Sequence, residues 1–73
     1  MNMDNIYPNL CRELDKRGIS LDFLAEKLNI TKESLYCKFR GEYPWLLSEA
    51  LNICVLLNTS DVKFLFLQLD NNW

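Results

Sequence analysis

Residues 20–41, SLDFLAEKLNITKESLYCKFRG, decide the fold of this 73-residue chain. Leu24 and Leu28 lie four positions apart before Asn29, and an equivalent apolar set begins at Leu35 after it. Apolar residues at this spacing line one side of a helix. Asn29 tolerates the left-handed backbone conformation that a sharp turn requires. The stretch therefore predicts two short amphipathic helices joined by a tight turn.

Capping residues mark where both helices begin. Ser20 is a natural N-cap for a helix over about 20–28. Thr31 plays the same part for a helix over about 31–40, which Gly41 ends. This order of elements is typical of a helix-turn-helix, whose second helix enters the major groove of DNA.

The flanking sequence predicts further helices on both sides. Pro8 suits the first turn of a helix over about 8–17, because its missing N–H is not needed there. The stretch at about 47–57 leaves few polar positions, and Leu47 and Leu51 belong to its apolar set. We therefore expect this helix to lie at the centre of the molecule.

The fifth predicted element is residues 62–69, VKFLFLQL, which are almost entirely apolar. Periodicity cannot separate a helix from a strand in such a run, and we favour a helix because Ser60 and Asp61 precede it as caps. The expected fold is all-α, a compact five-helix bundle, followed by a short polar tail at 70–73. We predict a single domain over residues 1–73, with its core over about 8–69.

Composition argues against an enzyme. Apolar residues make up 49% of the chain, which suits a small packed bundle, and histidine is absent. Three cysteines, Cys11, Cys37 and Cys54, match no zinc-binding spacing and cannot all pair in disulfides. We expect Cys11 and Cys54 in the core, and we expect no catalytic site, no metal, no cofactor and no small-molecule substrate.

The charge balance does not by itself indicate nucleic acid. The formal net charge is −2 and the sequence pI is about 4.9. Residues 26–42 are less acidic than the rest, with four cations against three carboxylates, a local balance of +1. Because the local charge of one face matters more than the total, DNA stays among the candidate partners.

Nothing in the chain indicates export or a membrane. Residues 1–10 lack the basic start and apolar run of a signal peptide. No apolar run approaches the roughly 18 to 20 residues that a membrane span needs. We expect a cytoplasmic protein.

Short motifs on both sides of the turn follow one another in a definite order. They are Gly18-Ile19-Ser20, Leu24-Ala25-Glu26-Lys27-Leu28, Ile30-Thr31-Lys32-Glu33-Ser34-Leu35, Gly41, Trp45, Leu47-Ser48-Glu49-Ala50 and Asn58-Thr59-Ser60. In these motifs, over about residues 9–66, the chain resembles the phage repressor and Cro-like (XRE-type) helix-turn-helix family. The resemblance implies a lambda-repressor-like, DNA-binding domain of a phage or prophage transcriptional regulator, usually dimeric.

The resemblance also implies which side chains meet double-stranded DNA. Base-reading positions fall at Lys32, Glu33 and Cys37, and Tyr36 lies close to them. Thr31 and Arg40 fall at positions that contact phosphate, and the charge of Lys38 would attract phosphate.

Two departures from the family pattern favour a second function. Leu21 stands where the family usually has a glutamine that touches phosphate, and Glu42 stands where a lysine is typical. The alternative is a protein–protein interaction module, such as an antirepressor or an assembly domain, that keeps the helix-turn-helix fold without binding DNA.

The C-terminal segment carries more apolar side chains than one short element buries alone. Exposed apolar patches usually mark an interface, so we expect a homodimer formed through this segment. The alternative is that the segment simply closes the core. The expected interface residues are Phe64, Phe66, Leu67 and Trp73.

Overall fold

The computed structural model describes residues 5–69, and the predicted polar tail at 70–73 lies outside the described residues. The described part contains five helices and no strand, which confirms the all-α expectation. The helices are α1 (Pro8–Lys16), α2 (Leu21–Leu28), α3 (Lys32–Phe39), α4 (Leu47–Leu56) and α5 (Val62–Leu65).

The predicted caps are present at the helix starts. The Ser20 hydroxyl accepts a hydrogen bond from the N–H of Phe23, and the Thr31 hydroxyl accepts one from the N–H of Ser34, both at 3.1 Å. Each bond satisfies a backbone donor that the first helical turn leaves without a partner. The chain leaves the first four helices through residues of positive φ, which are Gly18 (67°), Asn29 (59°), Gly41 (81°) and Asn58 (54°).

The core is built from one face of each helix. Leu10 and Leu14 of α1, Leu24 of α2, Leu35 of α3 and Ile53 of α4 are fully buried. Burying a leucine or isoleucine side chain stabilises the fold by about 1.5 to 3 kcal/mol. The remaining buried apolar residues are Tyr7, Ala25, Leu28, Phe39, Ala50, Cys54, Leu57 and Leu65.

The expected central position of α4 is wrong for half of the helix. Ile53 and Cys54 are buried, but Leu47 is 74% exposed and Leu51 is 50% exposed. Only one side of α4 is covered by the other described helices, and an almost uniformly apolar sequence does not indicate which side that is.

The fifth helix is shorter than predicted. It ends at Leu65, and the following chain runs back toward the N-terminal segment, where the N–H of Leu69 donates to the carbonyl of Ile6 at 2.7 Å. The ring of Phe66 packs edge-on against Tyr7 and Trp45. These contacts draw residues 66–69 across the bundle, so the helix does not continue.

Candidate nucleic-acid interface

The turn between α2 and α3 fixes how α3 is held. Asn29 adopts φ 59° and ψ 43°, the left-handed conformation expected for it. The N–H of Asn29 donates to the carbonyl of Glu26 at 3.1 Å, and the N–H of Ile30 donates to that of Ala25 at 3.0 Å. These bonds close the end of α2 and place Thr31 directly at the start of α3.

One side of α3 faces the core and the other faces solvent. Leu35 and Phe39 are fully buried. At 3.6 residues per turn, the side chains of 32, 33, 36, 37 and 40 fall within about 140° of arc that contains neither of these two buried residues. We call this set together with Thr31 the α3 face. Its members are Thr31, Lys32 and Glu33, which are exposed, and Tyr36, Cys37 and Arg40, which are half-buried.

Lys38 does not lie on the α3 face, which corrects its expected position. Its side chain is only 9% exposed, and its Nζ lies 2.9 Å from Glu49 Oε1. The same ammonium donates to the carbonyl of Pro44 at 2.9 Å and lies 5.9 Å from the centre of the Trp45 ring. Its charge is therefore held inside the fold, away from any surface ligand.

Glu49 is the partner of Lys38 that the sequence did not indicate. Besides pairing with Lys38, its Oε1 accepts the N–H of Leu46 at 3.0 Å and so caps the start of α4. A glutamate at the third position of a helix often reaches back in this way. That spacing was the available signal for the cap, whereas nothing local indicated the pairing with Lys38.

The two cations of the α3 face are each paired with a carboxylate. Lys32 Nζ lies 3.0 Å from Asp22 Oδ1, and this hydrogen bond raises the pKa of Lys32. Arg40 Nε lies 2.8 Å from Glu42 Oε2. The bond lowers the pKa of Glu42 from its ordinary value of 4.5 and raises the pKa of Arg40.

These pairings change the local charge expected for the region. With Lys38 neutralised by Glu49, residues 26–42 present three cations against three carboxylates, a balance of zero instead of +1. The region around the α3 face therefore carries no excess of positive charge, and the partners of Lys32 and Arg40 are the nearby carboxylates of Asp22 and Glu42. Its cations reach an anionic ligand only by exchanging their carboxylate partners for it.

The residues expected at a dimer interface differ in their exposure to solvent. Phe64 is 43% exposed and Leu67 is 58% exposed, so both are available at the surface. Phe66 is half-buried in the aromatic cluster with Tyr7 and Trp45, and so contributes mainly to the fold. Trp73 lies outside the described residues.

The cysteines differ in burial. Cys54 is buried as expected, but Cys11 is only half-buried, and this burial is the main cause that raises its thiol pKa. Cys37, on the α3 face, accepts a hydrogen bond from Arg40 Nη2 at 3.4 Å. Within residues 5–69 no cluster of three or more metal-ligating side chains occurs. None of the helices in that range has the length and apolar character to cross a bilayer.

Comparison with known proteins adds no relative. No protein-family model, curated protein or solved structure matches this chain.

Proposed function

We propose that the protein is a small, sequence-specific DNA-binding transcriptional regulator, of the kind encoded by phages and prophages, acting in the cytoplasm by occupying a promoter or operator. The observation that carries the proposal is the α3 face, which stands free of the core on a helix held by a short turn from α2. A helix presented in this way fits the major groove of DNA, which is wide enough to admit it.

The residues of the α3 face divide by position along the helix. Lys32 and Glu33 begin α3, where a recognition helix meets base edges, and lysine donates to guanine whereas glutamate accepts from cytosine. Tyr36 and Cys37 follow one turn later. Thr31 and Arg40, at the two ends of α3, are suited to phosphate contacts, which set register without reading sequence.

Binding in this mode requires an exchange of ion pairs. Lys32 leaves Asp22 and Arg40 leaves Glu42, and each cation takes a phosphate or base acceptor instead. Exposed ion pairs of this kind are weak because water screens them, so the exchange costs little. Release of counterions from DNA then supplies much of the affinity.

A specific observation favours the second candidate, a protein–protein interaction module. The region around α3 has no net positive charge, and the solvent side of α4 exposes large apolar residues. A module that meets another protein needs such a surface and needs no basic face. In this role the protein is an antirepressor or an assembly domain.

Fluorescence anisotropy with duplex DNA separates the two candidates. The probe is a labelled duplex from upstream of the protein's own gene, compared with a scrambled duplex at about 50 and 200 mM salt. A DNA-binding regulator prefers the native duplex, loses affinity with salt, and is weakened by Lys32→Ala and Arg40→Ala. Lys63→Ala, a lysine of α5 outside the α3 face, is the matched control. Equal or absent binding to both duplexes at low salt favours the interaction module.

A further inference from the structure

The solvent side of α4 carries a continuous row of apolar side chains. Leu47 is 74% exposed, Leu51 is 50% exposed and Val55 is 79% exposed. Residues four positions apart lie one above the other on a helix, so the three side chains form one row. We call this row the α4 stripe. Such a row is unfavourable in water unless another surface covers it.

The α4 stripe has no charge along its length. The exposed neighbours on α4 are Ser48 and Asn52, which are polar but uncharged. Glu49 is the one charged residue within Leu47–Leu56, and it is buried against Lys38. Covering the stripe therefore removes no ion of α4 from water, which is the costly part of burying a surface.

Apolar grooves lie at both ends of the α4 stripe. Leu47 borders a groove of about 450 Å³, also lined by Trp45 and Phe66. Val55 borders another of about 310 Å³, also lined by Leu24, Leu28 and the exposed Lys27. Each groove has room for side chains that approach along the stripe, so the covering surface extends beyond α4 itself.

We propose that the α4 stripe is covered by the α4 stripe of a second copy of this chain, with the two helices antiparallel about a two-fold axis at Leu51. The row is symmetric about that residue, since Leu47 and Val55 lie one helical turn on either side of it. Under the two-fold operation Leu47 of each copy meets Val55 of the other, and the two Leu51 side chains meet each other. A self-complementary surface of this kind is what a two-fold dimer requires.

A stable interface buries about 800 Å² on each partner. Three side chains do not supply that area, so the α4 stripe forms the centre of the interface and the surfaces around the two grooves supply the rest. The stripe itself is uncharged and therefore matches a second uncharged stripe, whereas a charged partner would leave its own ions buried without counterions. The inference does not rest on DNA binding, because the α4 stripe and the α3 face share no residue.

Sedimentation equilibrium between about 1 and 100 µM tests the pairing. The full chain is expected to form dimers in this range. Leu47→Lys and Val55→Glu, alone, are each expected to raise the dissociation constant at least tenfold. An equimolar mixture of the two variants is expected to associate again, because the antiparallel arrangement sets the introduced ammonium against the introduced carboxylate across one contact and leaves the other native. Leu67→Lys, a matched change at an exposed leucine of the C-terminal segment, is expected to leave the dimer unchanged.

Three results overturn the proposal. The first is a wild-type chain that stays monomeric at about 100 µM. The second is a dimer that Leu67→Lys abolishes and Leu47→Lys does not, which places the interface on the C-terminal segment. The third is a mixture of Leu47→Lys and Val55→Glu that associates no better than either alone, which excludes the antiparallel pairing. Circular dichroism of each variant establishes that it is folded. Because the substituted side chains are exposed, we expect unfolding temperatures close to wild type at protein concentrations where the wild type is monomeric.

Discussion

Helices α3 and α4 both present one side to solvent, and the two sides differ in kind. The α3 face carries Lys32 and Arg40, each paired with a nearby carboxylate. The α4 stripe carries leucine and valine with no charge beside them. A polar face with paired charges is well solvated, and its cations can exchange partners. An apolar row is stabilised only when another surface covers it. The difference matches the two tasks that we propose, ligand recognition by the α3 face and self-association through the α4 stripe.

A single buried ion pair helps to set the charge of both surfaces. Lys38 of α3 and Glu49 of α4 turn inward and meet at 2.9 Å. The pairing removes one cation from the surface near α3 and the sole carboxylate from the surface of α4. The same pair ties the two helices together through Pro44 and Leu46, whose backbone groups bond to it.

Breaking this pair is expected to have the largest effect. Lys38→Met leaves the Glu49 carboxylate buried without its cation, which typically costs about 3 to 5 kcal/mol. A domain of this size is stable by only about 4 to 11 kcal/mol, so the variant approaches unfolding. Urea denaturation followed by tryptophan fluorescence measures the loss of unfolding free energy.

The double variant Lys38→Met/Glu49→Leu is the control for this prediction. With both charges replaced by apolar groups, no buried ion remains unpaired, and we expect most of the stability to return. A single variant within about 0.5 kcal/mol of wild type, the scatter of an ordinary surface substitution, contradicts the account.

The two sides of α4 are expected to respond differently to the same kind of truncation. Ile53→Ala leaves a cavity in the core and costs about 2 to 5 kcal/mol. Leu51→Ala changes the unfolding free energy of the monomer by about 0.5 kcal/mol or less, because the side chain is half in water. Denaturation at low protein concentration, where association is negligible, makes the comparison. Equal losses at the two sites mean that Leu51 is more deeply packed than the structure indicates.

These contrasts mark what the sequence could and could not predict. The caps Ser20 and Thr31 and the turn at Asn29 followed from residue type and neighbours alone, because each acts on the adjacent backbone. The covered side of α4 did not, since apolar residues occupy both sides and only the packing of other helices decides between them.

The candidate site shows the same division. The positions Lys32 and Glu33 followed from the family resemblance, and the described structure leaves both exposed at the start of α3. Lys38 was placed with them because its charge would attract phosphate. Its partner Glu49 belongs to a different helix, so only the assembled fold brings the two charges together.

Loss of the α3 cap is expected to have a moderate effect. Thr31→Ala removes the oxygen that accepts the N–H of Ser34 at 3.1 Å, and such a loss typically costs about 1 kcal/mol. Thr31→Ser keeps the oxygen and is the matched control, with a smaller loss expected. Thermal unfolding of the three proteins gives the ranking. If the alanine and serine variants unfold at the same temperature, the loss of stability does not come from the missing hydroxyl cap.

The smallest expected effect on stability comes from Glu42→Gln, which also sharpens the role of the α3 face. In the folded chain the pKa of Glu42 lies below its ordinary value of 4.5, so its pair with Arg40 stabilises the fold above that pH. This contribution disappears as the pH falls through the lowered pKa, because the carboxyl is then protonated. The difference in unfolding temperature between wild type and Glu42→Gln is therefore expected to be present near pH 7 and to vanish in acid.

The same substitution is expected to act in the opposite direction on DNA affinity. Glu42→Gln frees the Arg40 guanidinium from its carboxylate and removes a negative charge near the phosphates, so affinity rises, and more at about 50 mM salt than at 200 mM. Asp15→Asn makes the same change of charge on α1, a different helix, and measures the effect of net charge alone. Anisotropy titrations of both variants separate the two contributions. An equal gain from Asp15→Asn means that Arg40 has no particular part in binding, whereas a gain confined to Glu42→Gln assigns the exchange of ion pairs to Arg40 on the α3 face.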